Sequence, residues 1–203
     1  MHASDLQAKE PSIYTAVMPA GHEVEVKFRT ENVADLTSRL ETAGFRQITP
    51  RTHEMNTLYD LPGHPLRRRG ALLRIRQYGR EWTVTYKDKG SSQSSKHKSR
   101  REIETKVANG QALAEMLQSC GFEPSFAYEK FRSEWSDDRG HVVVDETPIG
   151  NFAEIEGPPE WIDSVAAKLG VSVGDYITAS YAELFELWKR KTGSDVTQML
   201  FAL

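Results

Sequence analysis

Residues 22–30 read HEVEVKFRT. Side chains alternate along an extended strand, so Glu23, Glu25, Lys27 and Arg29 share one face and Val24, Val26 and Phe28 the other. Met once, this would be an ordinary half-buried strand with its polar face in water. It returns as Glu102, Glu104 and Lys106 in residues 102–107, and in part as Glu154-Ile155-Glu156. Each copy leads into a short amphipathic helix and a glycine stop. After the first, Asn32 reads as an N-cap, and Val33, Leu36, Leu40 and Ala43 form a stripe ended by Gly44 before Phe45. After the second, Asn109 or Gly110 opens a helix with Leu113, Met116, Leu117 and Cys120 on one face, ended by Gly121 before Phe122. After the third, a helix over 161–169 stops at Gly170. An internal repeat of this kind predicts a pseudo-symmetric, all-antiparallel architecture with helices on the outside.

The 203 residues, 38% of them apolar, suit one large domain or two small ones. A net charge of −3 gives no global bias toward nucleic acid or anionic membrane, so any cationic site must be local. The single cysteine, Cys120, excludes an internal disulfide and a Cys-rich zinc site and is compatible with a reducing cytoplasm; it reads as a small buried hydrophobe. No run approaches the ~18 apolar residues of a membrane span. Residues 1–20, with Asp5, Glu10, Pro11 and Pro19, read as a poorly ordered arm or an added edge segment, and not a secretory signal. The expectation is a soluble cytoplasmic protein with one domain over 21–190 and a tail over 191–203. The tail's apolar end, Met199-Leu200-Phe201, is free to dock on the body or on a second copy, which leaves a homodimer open.

Between the repeats, an extended stretch over 45–60 breaks at Pro62-Gly63-His64-Pro65, and strands over 72–78 and 81–87 form a hairpin across Gly79-Arg80. Residues 88–99, DKGSSQSSKHKS, serve equally as a floppy connection or as a basic flap over an anion site. Strands over 128–135, 141–146 and 151–156 follow, then a helix over about 175–190. His22, His53 and His141 form no ligand-spaced cluster, Arg67-Arg68-Arg69 reads as a solvated run or as a patch that draws anions to the tunnel mouth, the former preferred, and Trp82, Trp135, Trp161 and Trp188 read as packing beneath helices.

The apolar strand faces are needed to bury the helix stripes. About eight antiparallel strands with helices outside then close most naturally into a barrel, which removes exposed edges. The expected fold is α+β: a closed eight-stranded antiparallel β-barrel, or tunnel, with a charged interior and helices packed outside. Its inward inventory is Lys27, Arg29, Arg74, Arg76, Lys87, Lys106, Lys130 and Arg132 against Glu23, Glu25, Glu102, Glu104, Glu134, Asp145, Glu154 and Glu156. So many buried charges must pair or hold ions. Carboxylates cluster on the first and last strands and cations on the middle ones, as suits a hard divalent cation bound to a polyphosphate. The competing reading is a structural salt-bridge network in a solvated barrel.

Glu23-Val24-Glu25-Val26-Lys27 resembles the ExExK signature of the CYTH superfamily, the triphosphate tunnel metalloenzymes. The resemblance runs over about residues 22–190 through Tyr59-Asp60, Leu66–Gly70, Leu73-Arg74-Ile75-Arg76, Lys87, Arg101-Glu102-Ile103-Glu104, Glu129-Lys130-Phe131-Arg132, Asp145 and GNFAEIE at 150–156. SYAEL at 180–184 is similar to the C-terminal helix of the class IV adenylyl cyclase-like branch. The resemblance implies an eight-stranded tunnel that binds a triphosphate through Mg²⁺ or Mn²⁺. It implies Glu23, Glu25 and Glu154 as metal ligands, with Glu156 and Asp145 as further candidates, and Lys27, Arg74, Arg76, Lys87, Lys130 and Arg132 as phosphate holders. Strand parity leaves Arg101 out.

Two reactions fit one such tunnel. Attack of a ribose 3′-hydroxyl on the α-phosphorus of ATP gives cyclic AMP and pyrophosphate, the reading that likeness to the cyclase branch favours. Attack of water makes a triphosphatase for tripolyphosphate, thiamine triphosphate or an RNA 5′ end. Glu23, Glu25 or Glu156 would orient the nucleophile, or Lys27 or Lys87 if neighbouring cations depress them. A non-catalytic polyphosphate or nucleotide sensor is the third reading.

Overall fold

The computed structural model describes residues 23–89 and 98–202, with side chains over 24–89 and 101–202. The expected N-terminal arm and residues 90–97 of the basic loop lie outside the described residues. The opening stretch forms β1 (Glu23–Thr30). β2 (Arg46–Asp60), β3 (Leu72–Tyr78), β4 (Glu81–Lys87), β5 (Lys98–Arg100), β6 (Glu102–Val107), β7 (Glu123–Ser136), β8 (His141–Thr147) and β9 (Gly150–Glu156) follow. All pair antiparallel in the order β5-β1-β9-β8-β7-β2-β3-β4-β6.

The closed barrel expected from the sequence is not what forms. The two end strands are β5, paired to β1, and β6, paired to β4, and Arg101 alone separates them in the chain. The sheet therefore curls round on itself, yet among the described residues no ladder joins its ends. The physical reason is a break at Arg101, whose carbonyl accepts from Asp88 N–H (3.1 Å) while the strand changes partners. Counted by chain passes, with β5 and β6 as one kinked segment, the sheet has eight strands.

The repeat is realised in the helices. α1 (Val33–Thr42) is capped by Asn32 and α3 (Gly110–Ser119) by Asn109, each side chain accepting the N–H three residues on. Gly44 and Gly121 end them at φ +89° and +87°, a left-handed conformation that glycine adopts without strain. α4 (Pro159–Lys168) follows β9. α1 and α4 bury Leu36, Leu40, Trp161, Ile162 and Val165 against Val26, Phe28, Val142, Val144 and Ile155 of the convex sheet face. The third copy of the unit thus docks beside the first. α3 buries only Gly110, which a Cβ would drive to 2.0 Å from the Trp82 ring.

Three other expectations change. Cys120 is exposed, because it caps α3 instead of continuing the stripe. The last helix, α5 (Tyr181–Thr192), begins later than position 175: Ser180 and Glu183 close a capping box there, and a 3₁₀ turn over Val173–Asp175 precedes it. The tail docks on the body, with Met199 N–H donating to Ala127 O (3.1 Å) and Glu129 N–H to Met199 O (3.0 Å). A short α2 (Pro65–Arg68) is held by Asp60, whose carboxylate accepts from Leu61, Leu66 and Arg67 N–H.

Candidate functional site

The polar faces of the strands meet on the concave side of the sheet. Lys27 stands opposite Glu154 in the β1–β9 ladder and pairs with it at 2.8 Å. Arg132 stands opposite Asp145 and forks onto both of its oxygens (2.7 and 2.6 Å), with a further bond from Nη2 to Glu154 (2.8 Å). Lys130 reaches Asp145 at 3.0 Å and Glu54 at 3.3 Å. Arg76 and Arg74 both donate to Glu104, at 3.0 and 3.4 Å, and Lys87 pairs with Glu102 at 2.9 Å. The structure thus brings Lys27, Arg74, Arg76, Lys87, Lys130, Arg132, Asp145 and Glu154 together on one face.

Other predicted inward residues fall elsewhere. Lys106 leaves the group for Glu81 at an exposed strand end (2.8 Å). Arg29 is exposed and lies over the Phe152 ring, 4.6 Å from its centroid. Glu134 accepts from Thr49 Oγ1 (2.8 Å). Arg101 turns out to Asp88 (3.9 Å), as parity required.

Burial and charge set the protonation states. Burial pulls the Lys27 ammonium down, but Glu154, Glu25 and Asp145 together hold it above its ordinary value, so it is not a depressed base. Burial pushes Glu54 up, and the Lys130, Arg132, Arg76 and Arg74 charges outweigh it and hold the carboxyl far below the usual range. Glu154 is likewise held well below by Lys27, Arg132 and Lys130 against its own burial. Burial raises the Tyr181 phenol, and Asp145 raises it further, so it remains a neutral donor.

Sequence reasoning missed Glu54, Asn56, Thr83, Thr85 and Tyr181. Glu54 and Asn56 sit two apart on β2, the one signal available for them. Glu54 is wholly buried, accepts from Asn56 Nδ2 (2.9 Å), and has no hydrogen-bond donor on Oε2. Thr83 and Thr85 accept from Arg76 Nε (3.2 Å) and Arg74 Nη2 (3.1 Å). Tyr181, the first residue of α5, donates to Asp145 (2.6 Å), and its ring lies 4.7 and 4.9 Å from the Lys27 and Lys130 ammoniums. With Phe152 and Tyr128 it fills the concave face beyond Asp145 with aromatic rings.

The donor chemistry can be tested against a divalent cation. Glu25 and Glu156 occupy paired positions on β1 and β9, two hard oxygen donors that suit Mg²⁺ or Mn²⁺ when substrate oxygens complete the shell. Glu154 and Asp145 are engaged by Lys27, Lys130 and Arg132. Among the described residues no three acidic, His or Cys side chains form a ready-made metal cage. The set fits a metal that arrives with a polyphosphate.

The family model for the CYTH domain matches residues 21–181. The chain belongs to the CYTH domain family. A Methanocaldococcus jannaschii protein named provisionally as an adenylate cyclase is 24% identical over 173 residues, 80% of this chain and 97% of that one. A Vibrio parahaemolyticus structure, also provisionally an adenylate cyclase, superposes with TM-score 0.71 at 20% identity over 82% of this chain and 99% of its own. A Hippeastrum protein described as an adenylyl cyclase with dominant triphosphatase activity superposes with TM-score 0.56 at 17% identity, covering 86% and 97%. The Vibrio and Hippeastrum structures share the fold described above. Among the described residues no helix is long and apolar enough to cross a membrane.

Proposed function

We propose that this CYTH protein is a metal-dependent enzyme that binds a triphosphate along the concave face of its sheet and transfers a phosphoryl or nucleotidyl group from it. The observation that carries the reading is the convergence of six cations from four strands, Lys27, Arg74, Arg76, Lys87, Lys130 and Arg132, beside the paired carboxylates Glu25 and Glu156. A surface salt-bridge network would not need this many cations on one buried face.

The six cations hold and orient the triphosphate oxygens, and Arg76 and Arg132 offer planar forks for them. Asp145, bound to Lys130, Arg132 and Tyr181, positions those donors. Glu23, Glu25 and Glu156, joined by Glu154 once it leaves Lys27 and Arg132, would hold Mg²⁺ or Mn²⁺. When bound, that cation neutralises charge developing on phosphate oxygens in an in-line transfer. Lys27, kept cationic by Glu154, holds phosphate; Glu25 or Glu156 orients the attacking hydroxyl or water.

The preferred reaction is cyclisation of ATP to cyclic AMP and pyrophosphate, supported by the names of the Methanocaldococcus and Vibrio relatives. Hydrolysis of tripolyphosphate or thiamine triphosphate is the second reading, supported by the name of the Hippeastrum neighbour. Product analysis with ATP, tripolyphosphate and thiamine triphosphate, each with Mg²⁺ and Mn²⁺, separates them. Cyclic AMP from ATP supports the first. Orthophosphate from tripolyphosphate without any cyclic product replaces it with the second. Tight binding without turnover of any of the three would make the protein a sensor.

A further inference from the structure

Glu104 makes three contacts that a phosphate group would make. Its Oε1 accepts from Arg76 Nη2 (3.0 Å), and its Oε2 accepts from Thr85 Oγ1 (2.6 Å) and Arg74 Nη2 (3.4 Å). Two guanidiniums and a hydroxyl converging on two oxygens of one anion is the donor pattern that recognises a phosphoryl group. The carboxylates on the concave face differ in how firmly they are held. Glu54 and Asp145 have no exposed side-chain surface, while Glu104 keeps 32% of its own. Glu104 also lies on β6, an end strand whose single ladder is the one to β4. It alone of these three has both a phosphate-like set of partners and room to leave them. Glu102 stands to Lys87 in the same way, at 2.9 Å.

We propose that Glu104 is an internal stand-in for a phosphate: it occupies the Arg74–Arg76–Thr85 donor set in the ligand-free chain and must be displaced when a triphosphate binds. This rests on the triphosphate reading above. Two consequences follow from charge. The carboxylate competes with the incoming anion for the same three donors, which weakens binding. Once displaced, it stands as a bare negative charge beside a polyphosphate until a cation neutralises it, which couples anion affinity to the presence of a divalent metal.

The test is calorimetric titration of inorganic tripolyphosphate into the full chain and into Glu104→Gln and Glu104→Ala, each in EDTA and in Mg²⁺. The EDTA arm isolates competition from any part Glu104 plays with a metal. Removing the competing charge is expected to tighten metal-free binding by about tenfold and to shrink the gain that Mg²⁺ brings. Unchanged or weaker metal-free binding in either folded variant overturns the proposal. So does a failure of both variants to fold, which would make Glu104 a fixed structural counter-ion. If the unsubstituted chain fails to bind tripolyphosphate both in EDTA and in Mg²⁺, the triphosphate reading itself falls and this inference with it.

Discussion

Tyr181 Oη donates to Asp145 Oδ2 at 2.6 Å, tying the first turn of α5 to the carboxylate that Arg132 and Lys130 also hold. α5 is thereby anchored to the charged face, where Leu184 and Phe185 pack with Tyr128 and Phe152. Tyr181→Phe keeps the ring against Lys27 and Lys130 and removes one donor from a wholly buried carboxylate. The expected cost is about 1–2 kcal/mol, seen as a melting midpoint lower by a few degrees. Reduced turnover of whichever triphosphate proves to be the substrate should accompany it, and an unchanged midpoint in thermal denaturation would show the bond contributes nothing.

Glu54 makes stability depend on acid. Its folded-state value lies below its ordinary value of 4.5, so the unfolded chain binds the proton more readily and stability rises with pH. The contribution is complete above about pH 4.5 and is lost as pH falls through and below that value. Glu54→Gln leaves Lys130, Arg132 and Arg76 without their shared counter-ion and should destabilise the fold by about 3–5 kcal/mol near neutral pH. Urea titrations across pH should show the gap between the two proteins narrowing below pH 4.5. A constant gap would mean the carboxylate's charge is not what matters.

Glu25→Ala removes one member of the Glu25–Glu156 pair proposed to hold the metal. Loss of about a hundredfold or more in turnover is expected, with the fold retained by circular dichroism. Titrating EDTA into the unsubstituted protein should abolish turnover and Mg²⁺ or Mn²⁺ restore it. Persistent turnover in EDTA would remove the metal from the reaction.

Met199 is 1% exposed and packs with Tyr128, Phe185 and Tyr181 while its main chain bonds to β7. Met199→Ala should cost about 2–4 kcal/mol in urea denaturation. A loss under 1 kcal/mol would mean the tail's packing is dispensable.

The alternation Glu-x-Glu-x-Lys, its echoes at 102–106 and 154–156, and the Asn caps and Gly stops of α1 and α3 were all readable without coordinates, because each depends on neighbours within a few residues. So was the common facing of Lys27, Arg74, Arg76, Lys87, Lys130 and Arg132, since strand parity puts each opposite the apolar face that covers the helices. Glu54 and Asn56 were hidden inside a long polar strand, where nothing local tells which face is buried. Cys120 and the start of α5 were misplaced because a helical stripe does not reveal where a cap will end or open it.

What the order of residues determined by itself was the period of each segment, and hence which charges travel together. Only the tertiary structure decided which charges meet. That Glu104 rests on Arg74 and Arg76, that Tyr181 reaches Asp145 from 36 positions away, and that the sheet stays open at Arg101 are matters of register and curvature. Register and curvature arise from long-range pairing of strands, to which no short stretch of chain has access.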